Sequence, residues 1–311
     1  MREGDARGQR LRKLRESLEE IEQDAALRDP ARYVDRVQAT ELLELEFEGG
    51  LAEDDSAAAR ALVDRAMAVR RELEDVDEAI VSELRERIRT QRCAEAELME
   101  RLRRICDESS ARWPNAFYGH GDFFANALLG FEPAALERVA AEVEENERAG
   151  RNPEQVFYQA TPVRQVLELI DRARVTADDV VFDLGAGIGK VAMLVNLLTG
   201  AKVVGVEIER AYSDYARARV EALGLRGVEL RTQDARTARY DDATVVFMYH
   251  PFTGRLLDEV LERLRQQAER RPLRIGTLGR ITFTLAQQSW LQPVGTDALG
   301  EHRAAVFAGR R

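Results

Sequence analysis

The sequence is short of the residues that build covalent or metal-held frameworks. It contains only two cysteines and three histidines in 311 residues. Two cysteines are too few for a disulfide framework, and with so few histidines they do not suggest a zinc site. Cys93 and Cys106 both lie in a charged stretch of helical pattern. We therefore expect ordinary helix-face cysteines and no bound metal.

Long apolar runs are also missing. No stretch approaches the roughly 18–20 consecutive apolar residues that a membrane-spanning helix needs. The first residues, "MREGDARGQRLRKLRESLEE", have no apolar core of the signal-peptide type. We therefore expect a cytoplasmic protein that does not use a membrane as a partner.

Lysine is scarce, and charge is unevenly distributed. Of 46 basic residues only Lys13, Lys190 and Lys202 are lysines. Residues 1–150 carry a formal net charge of −13 and residues 151–311 a net charge of +3, which together give −10. An acidic N-terminal half repels a nucleic-acid backbone, so nucleic acid is not an expected partner.

The N-terminal part of the chain has a helical pattern. Its first apolar residues step by three or four positions, as on the seam of an amphipathic or coiled-coil helix: Leu11, Leu14, Leu18, Ile21 and Ala25. A second helix is expected over residues 32–47, ended by Gly49 and Gly50. We predict an all-helical, partly coiled-coil domain over residues 1–108 that serves packing or homodimerisation.

A long segment without glycine or proline follows, from Leu51 to Trp113. Its apolar stripe predicts either one unbroken helix over about residues 56–107 or a helical hairpin. The stripe weakens near Thr90–Glu95, so a bend is expected there if the helix is broken.

Residues 109–131, "SSARWPNAFYGHGDFFANALLGF", combine six aromatic residues with three glycines. This mixture is unusual for a helix and predicts a loop or a pair of short turns within a connector over residues 109–153. The segment either seals the junction between domains or forms a lid over an active site. In a lid, His120 or Asp122 would face the substrate.

Strand and helix patterns alternate from residue 154 onward. Helices are expected over residues 162–173, 190–198, 211–223 and 255–267, and strands over residues 180–184, 202–207, 228–232, 244–249 and 273–278. The tail "HRAAVFAGR" is expected to add a final edge strand. This alternation predicts an α/β domain over residues 154–311 with a doubly wound, mostly parallel sheet.

The turn after the first of these strands reads "DLGAGIGKV". A dinucleotide-binding turn needs G-x-G-x-x-G, but here the third glycine comes one place early and Lys190 occupies its position. A phosphate-binding loop needs G-x-x-x-x-G-K-[ST], but Leu184 replaces its first glycine and Val191 has no hydroxyl for magnesium. A nucleotide-dependent oxidoreductase or nucleoside triphosphatase is therefore disfavoured.

The remaining pattern, an acid followed by G-x-G-x-G, resembles motif I of the class I S-adenosylmethionine (SAM)-dependent methyltransferases, which share the doubly wound sheet. The resemblance implies SAM as cofactor. Gly185, Gly187 and Gly189 would allow its close approach to the backbone. Asp183 would order the turn and offset the ammonium and sulfonium charges of SAM.

Two further acids are placed as in that family. Glu207 ends the second strand, "VVGVE", and the resemblance implies that it accepts hydrogen bonds from the two ribose hydroxyls. Asp234, in "QDA" after the third strand, would accept a hydrogen bond from the adenine amine. As a lone acid after a strand, Asp234 could instead cap a helix or turn.

The sequence of this turn and of the residues after it is similar to one branch of that family, the non-SET histone-lysine methyltransferases of the disruptor-of-telomeric-silencing type. The similarity lies in D-L-G-x-G-x-G-x-V, the later V-x-x-x-T-G and G-V-E. The upstream "FYQATP" resembles a loop that touches the methionine end of SAM, which makes Tyr158 and Thr161 candidate cofactor contacts. Alternatively, Thr161 caps the helix that starts at Pro162.

The segment after the fourth strand, "YHPF", departs from that branch, which has an asparagine pair followed by phenylalanine. The segment also lacks the [DN]-P-P-[YF] pattern of other amino-group methyltransferases. His250 is the candidate general base because imidazole titrates near neutral pH, unless it only caps a turn before Pro251. Tyr249 is expected to shape the acceptor pocket.

The sequence thus predicts a SAM-dependent methyltransferase whose acceptor is a protein side chain or a small molecule. The alternative is a helical scaffold protein whose sheet domain binds SAM, or no ligand, and performs no chemistry. The presence of both Asp183 and Glu207 favours the enzyme.

Overall fold

The computed structural model describes residues 2–148, 150 and 152–310. The chain divides into two compact units. The first, here called the helical unit, comprises Met1–Glu86 and Asp107–Pro114, and the second, the sheet unit, comprises Arg87–Cys106 and Asn115–Arg311. Among the described helices, none has a stretch that is both long and apolar enough to cross a bilayer.

The helical unit begins with helix α1 (Arg2–Gln23), a 3₁₀ turn (Ala25–Arg28) and helix α2 (Tyr33–Leu42). Its core is built by the predicted seam together with later apolar residues, including Leu14, Leu18, Leu43, Phe47 and Leu62. The second helix is confirmed, but its last part, Leu43–Gly49, widens into π-helical turns.

The long apolar segment is divided into two helices, so the unbroken-helix alternative is excluded. Helix α3 (Ala57–Arg89) ends where Gln91 adopts a left-handed conformation, with φ at 56°. Helix α4 (Glu95–Arg112) then begins within the predicted bend region. The bend is held by Arg87, whose Nη1 lies 2.8 Å from Oε1 of Glu97.

The predicted loop over residues 109–131 is wrong at its start, where helix α4 continues to Arg112, and in its second half, where helix α5 spans His120–Leu129. Asp122 accepts a hydrogen bond from the backbone N–H of Gly119, and Gly130 ends the helix in a left-handed conformation. Phe124 and Leu128 are buried, so the apolar residues belong to a packed helix face. Helix α6 (Pro133–Arg148) follows.

The sheet unit contains a seven-stranded sheet in the order β3-β2-β1-β4-β5-β7-β6. The strands are β1 (Val180–Leu184), β2 (Lys202–Glu207), β3 (Val228–Thr232), β4 (Val245–Tyr249), β5 (Arg274–Leu278), β6 (Leu291–Pro293) and β7 (Ala305–Gly309). Strands β1 to β5 are parallel, whereas β7 is antiparallel to β5 and β6. The mostly parallel sheet is confirmed.

Helix α7 (Val163–Ala173) precedes the first strand, and four helices connect later strands: α8 (Lys190–Thr199), α9 (Arg210–Leu223), α10 (Gly254–Arg270) and α11 (Ile281–Ala286). The tail does form a strand, β7, but its predicted edge position is wrong. It pairs with β5 on one side and β6 on the other, so β6 forms the edge. Phe307 of β7 is fully buried, which explains its position inside the sheet.

The strand order reverses at β1, which lies between β2 and β4. The connections that follow β1 and β4 therefore leave the sheet in different directions. This is the place where open α/β sheets form a ligand crevice at the carboxyl ends of their strands.

Candidate cofactor and acceptor site

An open cleft of about 960 Å³ lies at this reversal of strand order. Of the ten predicted site residues, seven line it: Tyr158, Thr161, Asp183, Gly185, Glu207, Asp234 and Tyr249. Gly187, Gly189 and His250 lie outside its lining. The tertiary structure thus brings together acids from three separate strand ends.

The three motif glycines all require the left-handed conformation, with φ at 75°, 52° and 75°. A Cβ on Gly185 would lie 2.4 Å from Cβ of Pro251, and one on Gly187 would lie 2.1 Å from the Tyr158 ring. At these positions the turn and its neighbours already touch, so a side chain cannot fit. Gly189 instead allows helix packing, because its Cβ would lie 3.0 Å from Cβ of Ala216.

Asp183 is buried at the end of β1, and its Oδ2 has no hydrogen-bond partner among the described residues. Burial, and then the nearby Glu207 carboxylate, raises the pKa of Asp183 to about 7. An orphaned buried carboxylate oxygen is costly unless a cation or donor satisfies it. The cleft therefore suits a ligand with a positively charged end.

Glu207 is buried at the end of β2. Its Oε2 accepts a 2.7 Å hydrogen bond from the N–H of Gly187, and its Oε1 accepts a 2.9 Å bond from the N–H of Glu209. Burial raises the pKa of Glu207, although these two donors act in the opposite direction. Two carboxylate oxygens offer about four acceptor positions, so the side chain can still accept from ligand hydroxyls.

Asp234 lies after β3 and is engaged by Arg236. Its Oδ1 accepts a 2.8 Å bond from the backbone N–H of Arg236, and its Oδ2 lies 2.7 Å from the Nη2 of the same residue. The Arg236 side chain thereby lowers the pKa of Asp234. The turn-capping role is present, and the adenine contact stays a prediction.

The segment over residues 154–161 borders the cleft. Val156 donates a 3.0 Å backbone bond to the carbonyl of Pro251, which connects the segment to the end of β4. The ring of Tyr158 packs against Gly187 and lies 5.1 Å from the ring of Tyr212. Tyr158 is therefore in place to cover the glycine turn.

Thr161 does not cap helix α7, which contradicts the alternative considered for it. The N-cap of α7 is Pro162, without a side-chain hydrogen bond from the cap residue. The buried N–H of Val163, at the first turn of the helix, instead donates to Oδ1 of Asp122 at 3.0 Å. Thr161 is buried in the cleft lining, and its contact with the cofactor stays a prediction.

His120 and Asp122 do not face the cleft, so the expectation that either of them faces a substrate is wrong. Both are buried, and neither lines the cleft. Asp122 forms an ion pair with Lys190, whose Nζ lies 2.7 Å from Oδ1. No local pattern in the sequence indicates this pair, because its members are 68 residues apart.

Tyr249 and His250 differ in position although they are neighbours. Tyr249 lines the cleft, and burial raises the pKa of its phenol to about 12, which keeps it neutral. His250 has a left-handed backbone with φ at 43°, and its Nδ1 is buried without a partner among the described residues. Burial, and then Arg280, lowers the pKa of His250.

The sheet order, the glycine turn and the acids at successive strand ends are those of a class I SAM-dependent methyltransferase. The family described as "Histone methylation protein DOT1" matches residues 148–238. A protein-lysine N-methyltransferase of Saccharolobus islandicus (strain REY15A) is 32% identical over 122 residues, which cover 37% of this chain and 69% of that protein. The chain belongs to this family of SAM-dependent methyltransferases, and SAM is its cofactor.

Solved structures of methyltransferases are also similar to part of the chain. An RNA methyltransferase from Salinibacter ruber, in complex with S-adenosylhomocysteine, is 25% identical to this chain, with a TM-score of 0.39. The similar region covers 49% of this chain and 92% of that methyltransferase. A putative methyltransferase, yhhF from Escherichia coli, is 18% identical, with a TM-score of 0.42. The similar region covers 50% of this chain and 92% of that protein.

Proposed function

We propose that the enzyme methylates the ε-amino group of lysine in a protein acceptor. One observation carries this proposal: the relative from Saccharolobus islandicus, 32% identical, is named a protein-lysine N-methyltransferase. The family match ends at residue 238, before strand β4, so the proposed acceptor-side residues Tyr249 and His250 lie outside it. The proposal therefore needs a direct test of the acceptor.

Bound SAM supplies a methyl group on a sulfonium centre, which is open to in-line attack by a nucleophile. The protein's part is to hold the two reactants in line. Asp183 would pair with the ammonium group, Glu207 would bind the ribose hydroxyls and Asp234 the adenine amine. The remaining proposed cofactor contacts are the glycine turn and the segment beside it: Gly185, Gly187, Gly189, Tyr158 and Thr161.

A lysine side chain is an ammonium ion at neutral pH, because its ordinary pKa is about 10.4. It must lose a proton before the nitrogen lone pair can form the N–C bond, while the electron pair of the C–S bond passes to sulfur. We propose His250 as the base, acting through one water molecule because it lies outside the cleft lining. Its lowered pKa keeps the imidazole neutral and able to accept the proton. Tyr249 would shape the acceptor pocket.

The acceptor can be tested with methyl-tritiated SAM and a protein extract prepared in two forms, untreated and with its lysines acetylated. We expect label in the untreated proteins, recovered as ε-N-methyllysine after acid hydrolysis, and little label in the acetylated extract. The enzyme itself has only three lysines, so self-labelling adds little background. An Asp183→Asn variant controls for contaminating activity.

Label that is equal in the two extracts, or that appears only in small molecules, would contradict a lysine acceptor. Label in RNA would contradict it as well. We propose that nucleic acid is not the acceptor, because residues 1–150 carry a net charge of −13.

We further propose that the helical domain expected over residues 1–108 forms a homodimer. Leu42 and Leu45 are 39% and 71% exposed there, an apolar surface that a second copy could cover. Light scattering should give twice the mass of one chain for the unchanged protein. A Leu42→Glu/Leu45→Glu variant should give the mass of one chain. A monomer at high protein concentration in the unchanged protein would contradict the dimer.

A further inference from the structure

A buried lysine at the cofactor cleft has no role in the site described so far. Lys190 is the first residue of helix α8, directly after the glycine turn. It is only 2% exposed, yet it lines the cleft together with Asp183 and Thr161. A lysine that is buried needs a partner for its charge, since desolvating a charged group is expensive.

The partner is Asp122, whose carboxylate is fixed from three directions. Its Oδ1 lies 2.7 Å from Nζ of Lys190 and accepts a 3.0 Å bond from the N–H of Val163. Its Oδ2 accepts a 3.1 Å bond from the N–H of Gly119. Because Asp122 is bound to the first turns of α5 and α7, it fixes the position of the Lys190 ammonium group.

A lysine ammonium carries three N–H donors. Within the part of the chain that the structure describes, the bond to Asp122 is the one that Lys190 makes. Donors therefore remain for a ligand in the cleft. The nearby Asp183 has the opposite property, an acceptor oxygen without a partner.

We propose that Lys190 binds the carboxylate of the cofactor's amino-acid end, while Asp183 binds its ammonium group. That end of SAM is a zwitterion, and the cleft offers one buried charge of each sign. Charge-assisted hydrogen bonds are the stronger kind in a buried site. Asp122 balances the charge of Lys190 when the cleft holds no ligand, which avoids a buried unpaired cation.

The test compares two ligands by calorimetry: S-adenosylhomocysteine, and its decarboxylated analogue, which keeps the amine but lacks the carboxylate. We expect the unchanged protein to bind S-adenosylhomocysteine about 10–100-fold more tightly than the analogue, as for a buried hydrogen bond between charged groups. In Lys190→Met this preference should fall to about threefold or less. The measurement needs no methyl acceptor, so it does not depend on the lysine proposal.

Matched variants separate ligand binding from a purely structural role of the pair. Asp183→Asn should weaken the binding of both ligands and keep the preference, because both carry the amine. Asp122→Asn should keep the preference, because the Lys190 ammonium group remains. If the pair were only structural, Asp122→Asn and Lys190→Met would change the preference alike, and the proposal would be wrong.

Lys190→Met leaves Asp122 as a buried unpaired charge and could fail to fold. The double variant Asp122→Asn/Lys190→Met removes both charges, and thermal unfolding verifies its fold. It should also lose the preference for the carboxylate. Equal binding of the two ligands by the unchanged protein, or a preference retained without Lys190, overturns the proposal.

Discussion

The backbone N–H of Gly187 donates a 2.7 Å hydrogen bond to Oε2 of Glu207. This bond joins the glycine turn after β1 to the acid that ends β2. Glu207 is 7% exposed, so the bond is shielded from water. The carboxylate is thus oriented before any ligand arrives, and a preorganised acceptor costs less ordering on binding.

Replacing Glu207 should weaken cofactor binding more, the more of its hydrogen-bond-accepting oxygens are removed. We expect Glu207→Gln, which keeps one oxygen, to lower the affinity for S-adenosylhomocysteine about 10-fold. Glu207→Ala, which also leaves the Gly187 N–H unsatisfied, should lower it about 100-fold. Calorimetry measures both, with the exposed Glu229→Gln as control. Unchanged affinity in Glu207→Ala would show that Glu207 does not contact the ligand.

Cofactor binding should depend on pH through Asp183. Burial raises the pKa of this carboxyl to about 7, and only its ionised form attracts the ligand's ammonium group. Below pH 7 the Kd for S-adenosylhomocysteine should rise about 10-fold per pH unit, and above pH 8 it should be constant. In Asp183→Asn the Kd should be larger and nearly independent of pH over this range. A pH-independent Kd in the unchanged protein would contradict this role.

The same carboxyl should affect stability in the absence of ligand. The folded protein keeps the Asp183 proton up to about pH 7, whereas an ordinary aspartate loses it near 3.8. The folded state therefore binds more protons between these values, and the contribution of Asp183 to stability falls as pH rises from about 4 to 7. We expect Asp183→Asn to raise the free energy of unfolding at pH 8 by on the order of 2 kcal/mol. Urea unfolding at pH 5 and pH 8 measures this, and no gain at pH 8 would refute it.

Gly187→Ala should impair cofactor binding more than a similar change elsewhere. The new Cβ would lie 2.1 Å from the Tyr158 ring, and φ at 52° is unfavourable for alanine. We expect about a 10-fold or greater loss of S-adenosylhomocysteine affinity because Tyr158 must move. Gly295→Ala is the matched control: its φ is 89°, but its Cβ would meet no atom within 4 Å. If Gly187→Ala binds S-adenosylhomocysteine as tightly as Gly295→Ala does, the contact with Tyr158 does not limit cofactor binding.

His250 and Tyr249 should differ in their effects on turnover. His250→Ala should lower kcat about 10²–10⁴-fold, the range for general base catalysis, with the affinity for S-adenosylhomocysteine unchanged. Tyr249→Phe should change kcat only a few-fold, because its phenol is neutral and shapes the pocket. Single-turnover kinetics on the acceptor found by labelling measures both. Full turnover in His250→Ala would remove His250 as the base.

Local patterns in the sequence predicted much of the sheet unit. The strand bounds at β1, β2 and β3 agree with the structure. Buried parallel strands are short apolar runs, and the helices between them have their own periodicity, so both are visible within about 10 residues. The glycine turn is equally local, because its three left-handed positions are every second residue from Gly185 to Gly189.

Interactions between distant residues were missed. Helix α5 was predicted as a loop because its aromatic and glycine content is unusual for a helix, but its apolar side chains are buried in the core. In the sequence Lys190 is only a mismatch to two other motifs, because no residue near it indicates a pairing with Asp122. The tail was predicted at the edge because no local feature indicates that β6 lies outside it.

The sequence by itself determined the alternation of strands and helices, the glycine turn and the identity of the acids that follow successive strands. Only the tertiary structure decided that Asp183, Glu207 and Asp234 line one cleft, that His250 lies outside its lining and that Lys190 pairs with Asp122. The reason is physical. Secondary structure depends on residues a few positions apart, whereas burial and ion pairing depend on which elements the folded chain brings together.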